Sequence, residues 1–159
     1  MKDKTCCFTG HRKIPPEQYE CIVKRLKSEI IDLINQGVIY YGAGGALGFD
    51  TMAAQTVIEL RKEYPQIKLI LVLPCRTQTR SWNGEDISVY EKILKECDKC
   101  VYLSEEYSRD CMFKRNRHLV DNSGVCICYL TECSGGTEYT VKYAEKNNLK
   151  IINIADERI

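Results

Sequence analysis

The sequence carries almost no net charge, with 23 Lys and Arg against 22 Asp and Glu. That balance excludes a global field drawing the chain onto nucleic acid or an anionic membrane, so any such binding must use a local patch. Long hydrophobic runs are also missing. Met1-Lys2-Asp3-Lys4 leads into Thr5-Cys6-Cys7-Phe8, an apolar stretch too short for a signal peptide or a bilayer span. A cytoplasmic location without a membrane partner is expected. Histidine is scarce, with only His11 and His118 to supplement cysteine in a zinc site that needs about four convergent ligands, so no metal is expected. No GxxxxGK[ST] occurs, which removes the P-loop NTPase reading. Internal repeats, low-complexity segments and linkers are absent too, and 159 residues are expected to form one domain over 1–159.

What is present is globular in balance, at 44% hydrophobic and 28% charged residues. Ten cysteines in a chain of this size without an export signal are expected to be reduced, most of them as small core groups. Cys126 and Cys128, two apart on an apolar run, should share one strand face. Cys97-Asp98-Lys99-Cys100 is a lone CxxC without a matching pair downstream.

Short apolar runs alternate with longer amphipathic ones. Strands are predicted at Thr5–Thr9, Val38–Tyr41, Lys68–Leu73, Lys99–Leu103, Val125–Leu130 and Lys150–Ile154. Helical spacing of Tyr19, Ile22, Val23, Leu26, Ile30, Leu33 and Ile34, between Pro16 and Gly37, predicts the first helix. Others are predicted at about Asp50 to Glu63, Ile87–Glu96, Asp110–Asn122 and Thr137–Asn147. Six strands separated by helices imply βαβ units. The expected fold is α/β, a Rossmann-like three-layer sandwich with a mainly parallel sheet of about six strands. In such sheets ligands bind beyond the carboxyl ends of the strands, so the segments following each strand carry the functional argument.

After the first strand comes Thr9-Gly10-His11-Arg12, a tight turn followed by polar side chains. The second strand is followed by four glycines in seven residues, Gly42, Gly44, Gly45 and Gly48, leading to Asp50 and a helix. Such a loop either lets the backbone approach a phosphate or packs strand against helix closely. It is not a dinucleotide fingerprint, because Leu47 stands where the last glycine of GxGxxG belongs, and NAD is disfavoured. No cofactor is expected. Ser134-Gly135-Gly136-Thr137 opens the last helix, where hydroxyls and glycines serve either as a cap or as a phosphate site. Pro74 to Trp82 is polar with one Trp, either a base-stacking segment or a surface loop pinned by Trp82.

The sharpest inference concerns the helix around 109–121. Met112 and Leu119 lie seven apart on one face, and Arg115 and Asn116 interrupt it. A buried guanidinium requires an anionic or hydrogen-bonding partner, either Asp50 or a ligand phosphate.

Cys7-Phe8-Thr9-Gly10-His11-Arg12, Gly45-Ala46-Leu47-Gly48-Phe49-Asp50, Met112-Phe113-Lys114-Arg115-Asn116-Arg117 and Gly135-Gly136-Thr137 together resemble the YpsA-like branch of the SLOG superfamily. That superfamily also holds the DNA-processing protein DprA and the LOG phosphoribohydrolases. The resemblance implies a binding or sensing domain for a nucleotide or nucleotide-derived ligand at the C-terminal edge of the sheet. Thr9, Gly10, His11, Arg12, Gly44, Gly45, Gly48, Asp50, Arg115, Asn116, Ser134, Gly135, Gly136 and Thr137 are the expected ligand-binding residues. An alternative is a phosphoribohydrolase cleaving the N-glycosidic bond of a nucleoside 5′-monophosphate, with Arg115, Asp50 and Glu138 as catalytic candidates. Thr140 stands where the LOG enzymes carry their catalytic Glu, which counts against this alternative. A further alternative is a single-stranded DNA or protein interaction module of DprA type, using Arg109, Lys114, Arg115 and Arg117, with weak and salt-dependent affinity for DNA. Self-association into a homodimer is compatible with all three.

Overall fold

The computed structural model describes residues 2–155. Six strands form one sheet: β1 (Thr5–Gly10), β2 (Tyr40–Ala43), β3 (Lys68–Leu73), β4 (Lys99–Tyr102), β5 (Val125–Tyr129) and β6 (Lys150–Asn153). Five α-helices connect them: α1 (Tyr19–Asn35), α2 (Phe49–Arg61), α3 (Gly84–Glu96), α4 (Cys111–Asp121) and α5 (Gly136–Lys146). Every strand pairing is parallel and the order is β4-β3-β2-β1-β5-β6. The chain therefore winds outward from β1 to the β4 edge, returns through α4, and continues outward through β5 to β6. The winding direction reverses between β1 and β5, and in open α/β sheets that switch point opens a crevice at the carboxyl ends of the strands.

The two sheet faces follow from the period of two along each strand. On β1, Cys6 and Phe8 face the larger core, with Leu26, Ile30 and Leu33 of α1 and Phe49, Met52 and Val57 of α2. Cys7 points the other way, with Cys126, Cys128, Leu119 of α4 and Val141 of α5. The alternation expected for Cys126 and Cys128 is thus realised, both side chains lying in this second core. Each fully buried Leu, Ile or Phe contributes about 1.5–3 kcal/mol relative to exposure.

Local signals fix the helix ends. Ile22, Leu26, Ile30 and Leu33 bury one stripe of α1, which closes where the Gly37 and Val38 amides donate to Ile34 and Leu33. Helix α3 begins earlier than Ile87, because the Asn83 side chain accepts from the Asp86 amide at 2.8 Å and caps the helix there. Among the described residues no helix is long and apolar enough to cross a membrane.

Candidate functional site

The loops after β1, β2 and β5 meet at the switch point, held together by the protein's own hydrogen bonds. The His11 carbonyl accepts from the Phe49 amide at 3.1 Å, tying the first loop to the start of α2. His11 Nε2 accepts from the Thr131 amide at 2.9 Å, and its ring meets Tyr129 edge-on at 5.9 Å. His11 is a brace across the switch point as well as a wall of the cleft.

That cleft measures about 290 Å³ and is walled by Thr9, Gly10, His11 and Arg12 from the first loop and by Ala46 and Asp50 from the second. Met112, Arg115 and Asn116 of α4 and Gly136 and Thr137 of α5 complete it. The structure brings together nine of the residues singled out from the sequence. Gly44, Gly45 and Gly48 lie behind the wall and shape the loop, while Ser134 and Gly135 are exposed beyond the α5 end. Glu138 lines a separate groove with Cys133 and Val141, where it pairs with Lys142 at 2.9 Å. Thr140 is buried and its hydroxyl donates to the Gly136 carbonyl at 2.9 Å.

Two glycines in the second loop have separate structural reasons. Gly48 has φ +80°, and a β-carbon there would run into the Arg12 backbone. At Gly44 the β-carbon position is occupied by the Arg115 guanidinium, which donates through Nη1 to the Gly44 carbonyl. Arg115 is only 5% exposed. Its Nε donates to Asn116 Oδ1 at 2.6 Å, and Nη2 lies 3.7 Å from Met112 Sδ. Of the face read from the sequence, Arg115 and Leu119, 5% exposed, are buried, while Met112 and Asn116 are half-buried at the cleft.

Asp50 is buried too, and its Oδ2 accepts from the Ala46 amide at 3.3 Å. Among the described residues it makes no direct ion pair with Arg115. Burial raises the Asp50 pKa, against the opposing pull of Arg115, the Ala46 amide and Arg12. Burial lowers the Arg115 pKa, Asp50 opposes that shift, and the like charge of Arg12 adds to it. The two groups feel each other through space while hydrogen-bonding elsewhere. Helices α2 and α5 both begin without a side-chain cap, so the Ser134 and Thr137 hydroxyls leave the α5 end open to the cleft.

A second lobe of about 460 Å³ adjoins the first, sharing Arg12 and Met112 with it. Gln78, Arg80 and Trp82 from the loop after β3 and Tyr107 from the loop after β4 line it. Gln78, Arg80 and Trp82 belong to the polar segment noted in the sequence, whereas nothing in the sequence singles out Tyr107 beyond its position just after a strand, at the carboxyl edge of the sheet. A more apolar groove of about 380 Å³ runs along the sheet beside α4, past Ile70, Val72 and Val101, away from the strand carboxyl ends. Among the described residues no cluster of three or more His, Cys, Asp or Glu side chains is placed to hold a metal ion.

The model of the YpsA SLOG family matches residues 7–157, which includes every wall of this cleft. The chain belongs to that family. Relatives include a UPF0398 protein of Brevibacillus brevis, 30% identical over 128 residues, covering 79% of this chain and 68% of the relative. The UPF0398 protein YpsA of Bacillus subtilis is 29% identical over 128 residues, covering 79% of this chain and 71% of the relative. Among solved structures the fold is similar to DNA processing protein A of Helicobacter pylori, with TM-score 0.68 and 18% identity over 94% of this chain. That protein is described with a single-stranded DNA binding mode. DprA of Streptococcus pneumoniae gives TM-score 0.67 and 15% identity over 92% of this chain. The chain spans only 64% and 48% of those two DprA chains, and the likeness is one of fold.

Proposed function

We propose that this YpsA-family chain is a binding or sensing domain for a nucleotide or nucleotide-derived ligand, whose phosphate enters the cleft at the switch point. The observation that carries this reading is Arg115. A guanidinium withdrawn from water is costly unless an anion or several hydrogen bonds compensate it. Here it meets one carbonyl, one amide oxygen and a thioether, with Asp50 contributing only through space. A phosphate in the cleft would supply the missing anion, and the open start of α5 and the Gly10 turn would add backbone N–H donors.

Titration calorimetry against nucleoside mono- and diphosphates, cyclic nucleotides and ADP-ribose tests the reading. Binding of at least one, lost in Arg115→Ala, supports it; heat from none of them overturns it.

Asp50 favours a second reading, hydrolysis of the N-glycosidic bond of a nucleoside 5′-monophosphate. A buried carboxyl with a raised pKa inside a phosphate cleft suits a general acid. Glu138 faces another groove and leaves Asp50 as the carboxyl that lines this cleft. Release of free base by the wild type and its loss in Asp50→Asn distinguish catalysis from binding alone.

A further inference from the structure

We infer that the second lobe is a base subsite, so that the ligand is a nucleotide held through its base as well as its phosphate, with the base on Trp82. This rests on the phosphate reading above and deepens it. The phosphate lobe, at about 290 Å³, lies at the lower end of small-ligand pockets, roughly 300–1,000 Å³. It is sized for a phosphate and its sugar. A planar base extending from it enters the adjoining lobe past Arg12 and Met112, the residues common to both.

The second lobe has the chemistry that takes a base. Trp82 is held edge-on against Tyr90, with ring centroids 5.5 Å apart and planes at 90°. Tyr90 donates to Gln78 Oε1 at 3.4 Å, and Gln78 Nε2 donates to the Gly45 carbonyl at 3.2 Å. Tyr90, against which the indole rests, is thereby tied to the glycine loop that shapes the phosphate lobe. Tyr107, 64% exposed, stands on another wall of the same lobe. A large aromatic side chain left this open beside a cleft has apolar surface available to a ligand.

Charge points the same way. No Asp or Glu lines the lobe, and neither Arg12 nor Arg80 makes an ion pair among the described residues. Two guanidiniums without a direct ion-pair partner, beside two aromatic rings, suit a planar ring joined to an anion, through stacking, cation–π contact and phosphate pairing.

Trp82 is the sole tryptophan of the chain, so its emission reports this lobe alone. The test titrates AMP, GMP, CMP and UMP, with ribose 5-phosphate as the base-free control, by calorimetry and by tryptophan fluorescence. At least one nucleotide is expected to bind about tenfold or more tightly than ribose 5-phosphate and to quench Trp82. Tyr107→Ala, at a position 64% exposed, should weaken that nucleotide about fivefold or more and leave ribose 5-phosphate unchanged. Trp82→Ala should remove the difference between the two ligands. Nucleotides that bind no more tightly than ribose 5-phosphate, or that saturate with Trp82 emission unmoved and Tyr107→Ala without effect, overturn the base subsite and leave the phosphate reading standing. Absence of heat from every ligand, the sugar phosphate included, overturns both.

Discussion

The Arg115 guanidinium lies over Gly44 and donates to its carbonyl, in space that the β-carbon of any other residue would need. Glycine at 44 and arginine at 115 are therefore one device built from two distant segments. A β-carbon at position 44 must push the far end of a flexible side chain aside, which a fold tolerates at about 1–3 kcal/mol. Gly44→Ala is expected to fold with that loss, read as a lowered Tm, and to bind nucleotide at least about tenfold more weakly. Unchanged affinity in Gly44→Ala would mean that the position of Arg115 does not matter to the site.

Gly48 is constrained more severely, by φ +80° and by the Arg12 backbone where a β-carbon would sit. Backbone cannot swing away as a side chain can. Gly48→Ala is expected to cost about 1–3 kcal/mol from conformational strain and more from the clash. Chemical denaturation should place it below Gly44→Ala in stability. The reverse order would contradict the loop geometry.

The His11 brace predicts a local effect. His11→Ala removes the acceptor of the Thr131 amide, at a net cost of about 0.5–1.5 kcal/mol. Amide hydrogen exchange should speed up in the loops after β1 and β5 while the β2–β3–β4 side of the sheet stays protected. Uniform acceleration through the sheet would show that His11 does not act at the switch point.

These loops also mark how far the sequence could be read. Periodicity in the apolar residues locates the six strands and five helices of the described residues, and the glycine clusters fall at the carboxyl edge of the sheet, because both signals are local. Val38, predicted as strand, belongs to the turn that ends α1, its amide donating to the Leu33 carbonyl. Helix α3 starts at Gly84, ahead of the predicted Ile87, because Asn83 caps it. Strand order was beyond reach, since it depends on α4 carrying the chain from the sheet edge back beside β1. The outward turn of Glu138 was hidden for a similar reason: its phase on α5 is set by packing against β5 and β6, although its i,i+4 pairing with Lys142 is written in the sequence. The basic strip on α4 divides in the same way. Arg115 points inward, while Lys114 reaches Asp110 at 3.8 Å and Arg117 donates to the Tyr139 hydroxyl at 3.1 Å on the outer face.

With Arg115 withdrawn from that outer face, single-stranded DNA is expected to bind no better than the non-specific range of about 10⁻⁴–10⁻⁶ M, and to lose affinity as salt rises. Anisotropy of a labelled oligonucleotide across a salt series measures this. Nanomolar binding at near-physiological salt would favour the DNA module instead.

Asp50 predicts a pH dependence. Its folded-state pKa is raised by burial, so the folded protein holds this proton more tightly than the unfolded chain. The stabilisation it contributes is fully present below the ordinary aspartate value of about 3.9 and is lost as pH rises through the raised folded value. In Asp50→Asn that loss should disappear from the stability-versus-pH curve measured by urea denaturation. Parallel curves for the two proteins would show that Asp50 titrates as an ordinary surface carboxyl.

The central claim is that Arg115 is kept buried to receive a phosphate. Replacing a buried charge by an apolar group of similar length is often neutral for stability or better. Arg115→Met tests the claim most directly, by calorimetry with the nucleotide that binds wild type most tightly and by denaturation of the same samples. The account predicts folding stability within about 1 kcal/mol of wild type together with loss of nucleotide binding. A variant that binds as wild type does, or one that loses binding only because it no longer folds, would contradict it.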